Sequence, residues 1–316
     1  MKILATGSAL PAGEVTNDMF AQVMDTNDEW IFSRTGIRSR RVSNGDTALS
    51  LAVQSAENAL VGIDRQRIAL VICASISAEH ITPSLACFLQ RDLGLREDIL
   101  AFDVNAACSG FIYALGIAEP LLREGQYALL IGTERLSRIT DYADRSTCVL
   151  FGDGAGAVVA EKGKNNVFHF MSGARGDPAP LNIGAAPPSA NPFAPPGESP
   201  QMNIHMNGQD VFRFAVEVLV KSAKEVIAQA GKTAQDITHF VCHQANRRII
   251  ENAAARLGVP IDRFFMNIET RGNTSAASVP IALDELNATG NLKRGDSVVL
   301  AGFGGGLTYG AIYLEW

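Results

Sequence analysis

Three residues of types that build nucleophilic sites, Cys108, His243 and Asn273, each follow a strand-like apolar run. A cysteine thiolate attacks acyl carbons, and neighbouring histidine and asparagine side chains donate hydrogen bonds to an oxyanion. Glycines at 304–306 form a tight turn whose N–H groups, with that of Cys108, can build a second oxyanion site. Two such sites around one thiolate suit two-stage chemistry: the cysteine is acylated, and a carbanion formed by decarboxylation then attacks the acyl group.

Cys108 lies within residues 101–118, AFDVNAACSGFIYALGIA. Residues 101–105 have strand character, and residues 111–118 are apolar nearly all round, which is typical of a buried helix. The turn between them places Cys108 at the helix N-terminus, beside unpaired N–H groups and the positive end of the helix dipole. This position predicts a thiol pKa below its ordinary value and leaves His243 free to act as a donor instead of a base. The alternative is an inert cysteine that only packs.

The two halves of the chain repeat one another. The matching pairs are IALVICAS with ITHFVCHQ, AFDVNAACSGFIYAL with FMNIETRGNTSAASVPIAL, YALLIGTE with SVVLAGFG, and FGDGAGAVVA with FGGGLTYGAIYL. Strands that alternate with helices predict predominantly parallel βαβ units. We therefore expect an α/β fold of two duplicated halves, residues 1–165 and 166–316, with two central sheets and helices between them.

This arrangement places the three residues together. Cys108 and Asn273 occupy equivalent turns, and His243 follows the strand equivalent to residues 68–75. All three lie at carboxyl ends of strands, where open α/β sheets bind ligands.

Other segments of the sequence have patterns typical of structural strands, turns and loops. Residues 147–160 predict two strands around the turn at 152–154, which does not fit a dinucleotide-binding pattern, and residues 264–269 predict a further strand. Residues 175–200 contain prolines at eight positions and predict a surface loop.

Bulk composition excludes several classes of protein. The 316 residues carry a net charge of −6, which does not favour nucleic acid. The sequence shows neither an apolar run of membrane-spanning length nor a signal-peptide pattern. The five cysteines have no C-x-x-C spacing and four lie in apolar segments, which indicates reduced, packing thiols and a cytoplasmic location. Histidines without partners at ligand spacing predict no metal site.

At these residues the chain resembles the β-ketoacyl-acyl carrier protein synthase III family of the thiolase-like superfamily. The motifs are NDEWIFSRTGI at 27–37, AACSGF around Cys108, FGDGAGA at 151–157, HQANRRII at 243–250, GNTSAASVP at 272–280 and GFGGGLTYG at 302–310. They keep the family's order and cover essentially the whole chain. The resemblance implies thiolase-like α-β-α-β-α layers and a homodimer without a cofactor.

The resemblance also implies a reaction. Family members condense an acyl-CoA primer with malonyl-acyl carrier protein, release CoA and CO2, and so initiate fatty-acid synthesis. By motif, Cys108 carries the acyl group, His243 and Asn273 stabilise the enolate, and Gly305 pairs with Cys108 in the oxyanion hole.

Binding residues follow from the same motifs. Trp30, Arg34 and Arg145 resemble the residues that stack on and anchor the CoA adenine, and an indole with guanidinium groups independently suits a nucleotide. The alternative is that Trp30 packs in the core while the basic cluster Arg34, Arg38, Arg40 and Arg41 forms a solvated face.

Two further surfaces are assigned by resemblance. Arg247 and Arg248 lie where the family docks the acidic carrier protein, although arginines at a helix end can also complement its dipole. Residues 80–84 align with the segment that, in this family, closes the partner subunit's acyl pocket, and Thr82 stands where members selective for the shortest primers have a bulky aromatic side chain. We therefore expect acceptance of primers longer than acetyl.

Three other functions compete with condensation. An acyltransferase to a hydroxyl or amine would have less need of Asn273, and a thioester hydrolase needs a positioned water that no sequence feature indicates. A non-catalytic partner of carrier protein would not require the three intact residues.

Overall fold

The computed structural model describes residues 1–184 and 202–316. The strands are β1 (Lys2–Ala9), β2 (Glu14–Thr16), β3 (Ser39–Arg41), β4 (Ile68–Ala74), β5 (Leu100–Val104), β6 (Tyr127–Glu134), β7 (Gly154–Glu161), β8 (Phe168–Ala174), β9 (Leu181–Asn182), β10 (His205–Met206), β11 (His239–Cys242), β12 (Ser297–Gly304) and β13 (Thr308–Glu315). The α-helices are α1 (Asn17–Ala21), α2 (Asp28–Thr35), α3 (Ala48–Ala59), α4 (Leu85–Asp92), α5 (Gly110–Leu121), α6 (Arg145–Cys148), α7 (Gly208–Gln229), α8 (Arg247–Leu257), α9 (Ile268–Arg271) and α10 (Ser278–Ala288).

Two sheets share one topology. The first has the strand order β1-β7-β6-β4-β5, and the second, in the matching direction, has β8-β13-β12-β11. Phe264 forms an isolated parallel bridge to Phe240 of β11, at the place that β5 takes beside β4. The duplication predicted from the repeats is therefore confirmed. The sheets are mixed, however, and not predominantly parallel: β7 and β13 run antiparallel to both of their neighbours.

The apolar faces of the helices and sheets determine the order in which the layers pack. Helices α5 and α10 pack between the two sheets, where their apolar side chains join those of β4, β6 and β12 in one core cluster. Helices α3 and α4 cover the outer face of the first sheet, and α7 and α8 cover that of the second. A helix between two sheets has no solvated face, which explains why residues 111–118 are apolar nearly all round. The predicted α-β-α-β-α order is confirmed.

Two predicted strands are wrong. Residues 147–160 contain the end of α6 and a single strand, β7, because the Asp144 side chain caps a short helix over the first part. Beyond Phe264, no strand forms at residues 265–269. The Gln244 side chain instead donates to the carbonyl of Phe265 (3.1 Å) and accepts from the N–H of Asn267 (3.2 Å), so a side chain satisfies these backbone groups.

The connection after β8 is described only in part. Residues 181–182 and 205–206 form the two-stranded pair β9–β10, while the prolines at 187–200 lie outside the described residues. The boundary predicted between residues 165 and 166 falls between β7 and β8, and as a division into two units it stays a prediction. Within the described ranges, each helix is too short or too polar to cross a bilayer.

Candidate active site

One cavity of about 210 Å³ collects the three predicted catalytic residues. Cys108, His243 and Asn273 all line it, together with Phe303 and Gly304 of β12. Their exposed fractions are 8%, 1% and 6%, so each side chain is almost fully shielded from water. The structure therefore brings together residues from three separate turns, as the repeat predicted.

The turns that carry Cys108 and Asn273 have the same unusual backbone. Each is a 3-10 turn, at Ala107–Ser109 and Ser275–Ala277, preceding a buried helix. Each begins with a non-glycine residue in the left-handed region, Ala107 at φ +44° and Ser275 at φ +48°. In this pairing Asn273 corresponds to Asn105, and the position of Cys108 is occupied by Ala276. Such backbone is costly for residues with a Cβ and concentrates at functional sites.

A glycine turn holds the Cys108 turn from the other side. A Cβ on Gly304 would lie 2.6 Å from the backbone nitrogen of Cys108, so only glycine permits this approach. The Thr308 hydroxyl donates toward the carbonyls of Gly305 (3.0 Å) and Ala106 (2.9 Å) and lies 2.7 Å from the Ser109 hydroxyl. The strict steric requirement is thus at Gly304, which sequence reasoning did not separate from Gly305.

The protonation of Cys108 differs from the prediction. Burial raises the pKa of its thiol to about 12, although the Ser275 hydroxyl and the backbone partly oppose this rise. The position at a helix N-terminus was expected to lower the pKa, and that expectation is wrong because desolvation of a thiolate outweighs the dipole here. The thiol proton therefore needs an acceptor when the sulfur attacks.

His243 is a neutral side chain. Burial lowers its pKa to about 3. Its Nδ1 lies 3.0 Å from the hydroxyl of Ser278, which in turn accepts from the N–H of Gln244 at 2.7 Å. The Ser278 hydroxyl can then donate its one proton in a hydrogen bond to Nδ1. The neutral ring therefore carries its own proton on Nε2, and Nε2–H is its donor. This arrangement supports the predicted donor role, and Ser278 is a positioning residue that sequence reasoning missed.

Asn273 is held by backbone on both sides. Its N–H donates to the carbonyl of Leu150 (2.9 Å), and its own carbonyl accepts from the N–H of Gly152 (3.0 Å). Its side-chain Oδ1 accepts from the N–H of Ser275 (2.9 Å), so the NH2 group is the part of the amide left for a ligand. The turn at 152–154, predicted to be structural, thus positions Asn273.

Glu134 is a second residue that sequence reasoning missed. It ends β6 with no exposed surface, and its carboxylate accepts from the N–H of Ile76 (3.2 Å) and the hydroxyl of Ser77. Burial raises its pKa to about 7, against the opposing hydrogen bonds. The available signal was an acidic residue at the end of the apolar run YALLIGTE.

The cavity runs from Cys108 to an indole flanked by two cations. Trp30 and Arg34 line its mouth, and the guanidinium carbons of Arg34 and Arg145 lie 4.7 and 4.9 Å from the Trp30 ring centre. The Asn27 side chain caps α2 and so fixes the helix that carries Trp30. Trp30 also packs partly against a small core cluster, so the two interpretations of it are compatible. The solvated-face alternative is wrong for Arg40, which is fully buried.

Arg247 and Arg248 begin α8. Asn246 is the N-cap of this helix, so both arginines stand at its positive end, where a cation does not complement the dipole. The dipole alternative is therefore wrong. Arg247 pairs with Glu251 at 2.8 Å, whereas Arg248 forms no salt bridge with any described residue.

Thr82 does not line the cavity of its own chain. It is exposed, and the neighbouring Ile81 is 94% exposed. Among the other cysteines, Cys73, Cys148 and Cys242 are buried as predicted, while Cys87 is exposed. Within residues 1–184 and 202–316, histidine, cysteine and acidic side chains form no cluster that could hold a metal ion.

Comparisons with known proteins give matches along the whole chain. The family model for 3-oxoacyl-[acyl-carrier-protein] synthase III matches residues 102–176, and the model for its C-terminal part matches residues 227–316. The chain is 45% identical to β-ketoacyl-[acyl-carrier-protein] synthase III of Clostridium acetobutylicum, with 100% of this chain and 98% of that protein covered. The structure of 3-oxoacyl-[acyl-carrier-protein] synthase III from Aquifex aeolicus superimposes with a TM-score of 0.92 at 39% identity, covering 100% and 99% of the two chains. The synthase III of Thermus thermophilus gives 0.92 at 41% identity, with the same coverage.

Proposed function

Because this chain belongs to the β-ketoacyl-[acyl-carrier-protein] synthase III family, we propose that it condenses an acyl-CoA primer with malonyl-acyl carrier protein. The products are 3-oxoacyl-acyl carrier protein, CoA and CO2, and the reaction initiates fatty-acid synthesis. The observation that carries this proposal is the single cavity that joins Cys108, His243 and Asn273 to Trp30.

The first stage transfers the acyl group to Cys108. Its sulfur attacks the thioester carbonyl, the N–H groups of Cys108 and Gly305 hold the oxyanion, and CoA leaves with a proton. Gly304 supports this role because its missing side chain lets the glycine turn approach the Cys108 backbone.

The second stage forms the carbon–carbon bond. As the malonyl group loses CO2, the electron pair of the broken bond moves into the thioester as an enolate. The Nε2–H of His243 and the NH2 group of Asn273 donate to the enolate oxygen. The enolate carbon then attacks the acyl group and releases the Cys108 thiolate. A neutral imidazole suits this stage because its Nε2–H donates a hydrogen bond to the enolate oxygen, and the ring does not have to lose a proton beforehand.

The proposal includes how the substrates bind. The Trp30 ring with Arg34 and Arg145 stacks on the adenine of CoA and contacts its phosphates. Arg248, which forms no salt bridge with a described residue, steers the acidic carrier protein, with Arg247 beside it. Thiol, imidazole and amide groups carry both stages, so the reaction takes no cofactor. Free cysteines support a cytoplasmic location.

We further propose a homodimer in which residues 80–84 close the partner's acyl pocket. Support comes from the exposure of Ile81 and Thr82 outside their own cavity, and from Leu100, half exposed on the edge strand β5. Thr82 leaves that pocket roomy enough for primers longer than acetyl.

Release of labelled CO2 tests the reaction. The enzyme is incubated with malonyl-acyl carrier protein labelled in the free carboxylate, with and without acyl-CoA. We expect CO2 release that depends on acyl-CoA and equals the 3-oxoacyl product formed. Free fatty acid without CO2 would indicate a hydrolase, and acyl transfer to a hydroxyl or amine without CO2 would indicate the other acyltransferase.

A further inference from the structure

We propose that Arg40 is a positioning residue that joins helix α2, which carries Trp30, to the turn that carries Asn273. The inference rests on the proposed function in taking Trp30 as a CoA-binding residue and Asn273 as a catalytic one. Arg40 does not line the cavity, so its effect on the reaction passes through other residues.

The Arg40 side chain is a buried cation without an acidic partner. It has no exposed surface, and it forms no salt bridge with a carboxylate of residues 1–184 or 202–316, unlike its neighbours Arg38 and Arg41. Burial lowers the pKa of its guanidinium to about 10, so the group keeps its charge at neutral pH. A buried charge without a counterion costs stability, and an apolar side chain of similar volume often packs as well or better. Stability alone therefore does not explain an arginine here.

Hydrogen bonds from Arg40 join β3 to two other segments of the chain. The guanidinium donates to the carbonyls of Val15 (3.0 Å) and Val149 and to the Oδ1 of Asn17 (3.0 Å). Its central carbon lies 4.8 Å from the ring centre of Phe20. Three acceptors and an aromatic face therefore fix the guanidinium plane relative to both segments.

One connection leads from Arg40 through Asn17 to helix α2. A guanidinium only donates, so the Asn17 oxygen must face Arg40 and its NH2 group must face away. That NH2 group donates to the carboxylate of Asp28 (2.9 Å), the first residue of α2, and to the carbonyl of Ile37 (2.7 Å), just beyond its end. Arg40 thus orients the amide that holds both ends of the helix carrying Trp30.

The other connection leads from Arg40 through Val149 to the turn of Asn273. The next carbonyl along the chain, that of Leu150, accepts from the N–H of Asn273 (2.9 Å). Packing adds a second contact, since a Cβ on Gly272 would lie 3.0 Å from the Cβ of Arg40. The backbone just before Asn273 therefore packs directly against Arg40, and the position of the Asn273 amide depends on this contact.

A purely structural role for Arg40 is the competing explanation. It predicts a lower free energy of unfolding, with the same KM and the same balance between the two stages in folded protein. A positioning role predicts a raised KM for acyl-CoA, through α2, and slower condensation, through Asn273, in protein that is fully folded. Acyl transfer at saturating acyl-CoA should change least, because the hydrogen bonds of Arg40 end on segments other than the turn of Cys108.

Arg40→Met is the direct test, because an unbranched apolar side chain fills similar space without donors. We expect the KM for acyl-CoA to rise about tenfold and condensation by the acylated enzyme to slow about tenfold, as lost hydrogen bonds and a small displacement would cause. Acyl transfer at saturating acyl-CoA should stay within about threefold of wild type. Urea midpoints followed by circular dichroism show which variants are folded. A wild-type KM and wild-type rates of both stages in folded Arg40→Met would overturn the proposal.

Arg41→Met is the matched control. Arg41 follows on the same strand, and its partly exposed side chain donates to the carbonyl of Ala12 (3.2 Å) and pairs with Glu14. The KM and both rates should stay within about twofold of wild type.

A double variant shows whether Arg40 acts through Asn273. Arg40→Met should slow condensation in the wild-type background but add little in an Asn273→Ala background, because the group that it positions is already gone. Fully additive losses would overturn the proposal, since a general structural effect does not depend on Asn273.

Asn17→Asp tests the connection to α2 and keeps the proposal falsifiable if Arg40→Met does not fold. It keeps an oxygen for Arg40 but lacks the NH2 group that holds α2. The KM for acyl-CoA should rise while condensation by the acylated enzyme stays normal, and an unchanged KM would overturn the proposal.

Binding of CoA alone separates this proposal from the proposed function. Quenching of Trp30 fluorescence by CoA is measured in a Trp316→Phe background, since the chain has two tryptophans. If Asn17→Asp and Arg40→Met both weaken this binding but the wild type forms no 3-oxoacyl product, the proposed function is wrong and the link from Arg40 to α2 stands.

Discussion

Burial sets the charge of Cys108 and His243 in the cavity. It raises the pKa of Cys108 to about 12 and lowers that of His243 to about 3, so both side chains rest neutral. Both effects have one cause, since a site shielded from water disfavours any isolated charge. The same dryness strengthens hydrogen bonds to charge that develops during reaction. The residues are thus neutral at rest and effective only when substrate brings charge into the cavity.

Asn273 should separate the two stages of the reaction. Asn273→Ala removes one donor to the enolate but none to the acylation oxyanion, so acyl transfer to Cys108 should persist while condensation falls about 100- to 1000-fold. Rapid-quench measurement of CoA release, beside steady-state product formation, checks this. Asn105→Ala changes the exposed equivalent asparagine of the first turn and should affect neither stage. Equal loss of both stages in Asn273→Ala would contradict the assignment.

At the scale of elements, the site is a meeting of turns. Two 3-10 turns and one glycine turn converge, and hydroxyl groups such as that of Thr308 tie them together. Strand ends bring the turns to the same edge, and helices α5 and α10, which follow two of the turns, pack between the sheets. We therefore expect a small backbone displacement in one turn to displace a neighbouring turn.

The glycine turn gives a steric prediction. Gly304→Ala places a Cβ 2.6 Å from the Cys108 nitrogen, so acyl transfer should fall at least about 100-fold, whereas Gly305→Ala meets nothing closer than 3.4 Å and should stay within about threefold of wild type. Acylation rates of the two variants, compared with their urea midpoints, check this. A harmless Gly304→Ala would show that the two turns do not need this close approach.

Helix α8 gives a prediction about docking. Arg248→Glu should raise the KM for malonyl-acyl carrier protein about tenfold or more at low salt while the KM for acyl-CoA stays unchanged. Arg247→Glu should have a smaller effect because Glu251 already neutralises that arginine. Arg256→Glu, at the other end of the same helix, is the charge-matched control. Docking elsewhere would be indicated if Arg248→Glu and Arg256→Glu behave alike.

The whole molecule contains two copies of one topology, and each copy contributes different residues to the site. The first copy presents the proposed nucleophile, Cys108, and the second presents His243 and Asn273. At the position of Cys108 the second copy has Ala276. The site lies between the copies, which explains why neither half contains it alone.

Sequence patterns predicted this architecture well because internal repeats and apolar periodicity can be recognised within short segments of the sequence. They failed where a distant side chain decided the outcome. Gln244 satisfies the backbone that would otherwise extend a strand beyond Phe264, and burial by both halves reverses the predicted pKa shift of Cys108. Ser278 and Glu134 also escaped prediction, because only the assembled fold brings the Ser278 hydroxyl to His243 and buries the Glu134 carboxylate.

The subunit arrangement gives a prediction about primer length. If Thr82 lines the partner's pocket, Thr82→Phe should lower kcat/KM for hexanoyl-CoA at least tenfold relative to acetyl-CoA, since each methylene in such a pocket contributes about 1–3 kcal/mol. Thr82→Ser should preserve the wild-type ratio. Kinetics across a primer series check this, with the mass in solution measured in parallel. An unchanged ratio in Thr82→Phe would place the pocket elsewhere.

The central claim is that Cys108 carries the acyl group between the two stages. Intact-protein mass spectrometry after mixing with acyl-CoA alone tests it most directly. The account predicts one acyl group per chain, mapped to the peptide that contains Cys108, absent in Cys108→Ser, and discharged by malonyl-acyl carrier protein with one CO2 for each acyl group lost. Undiminished product formation by Cys108→Ser, or an acyl group on another residue, would contradict it.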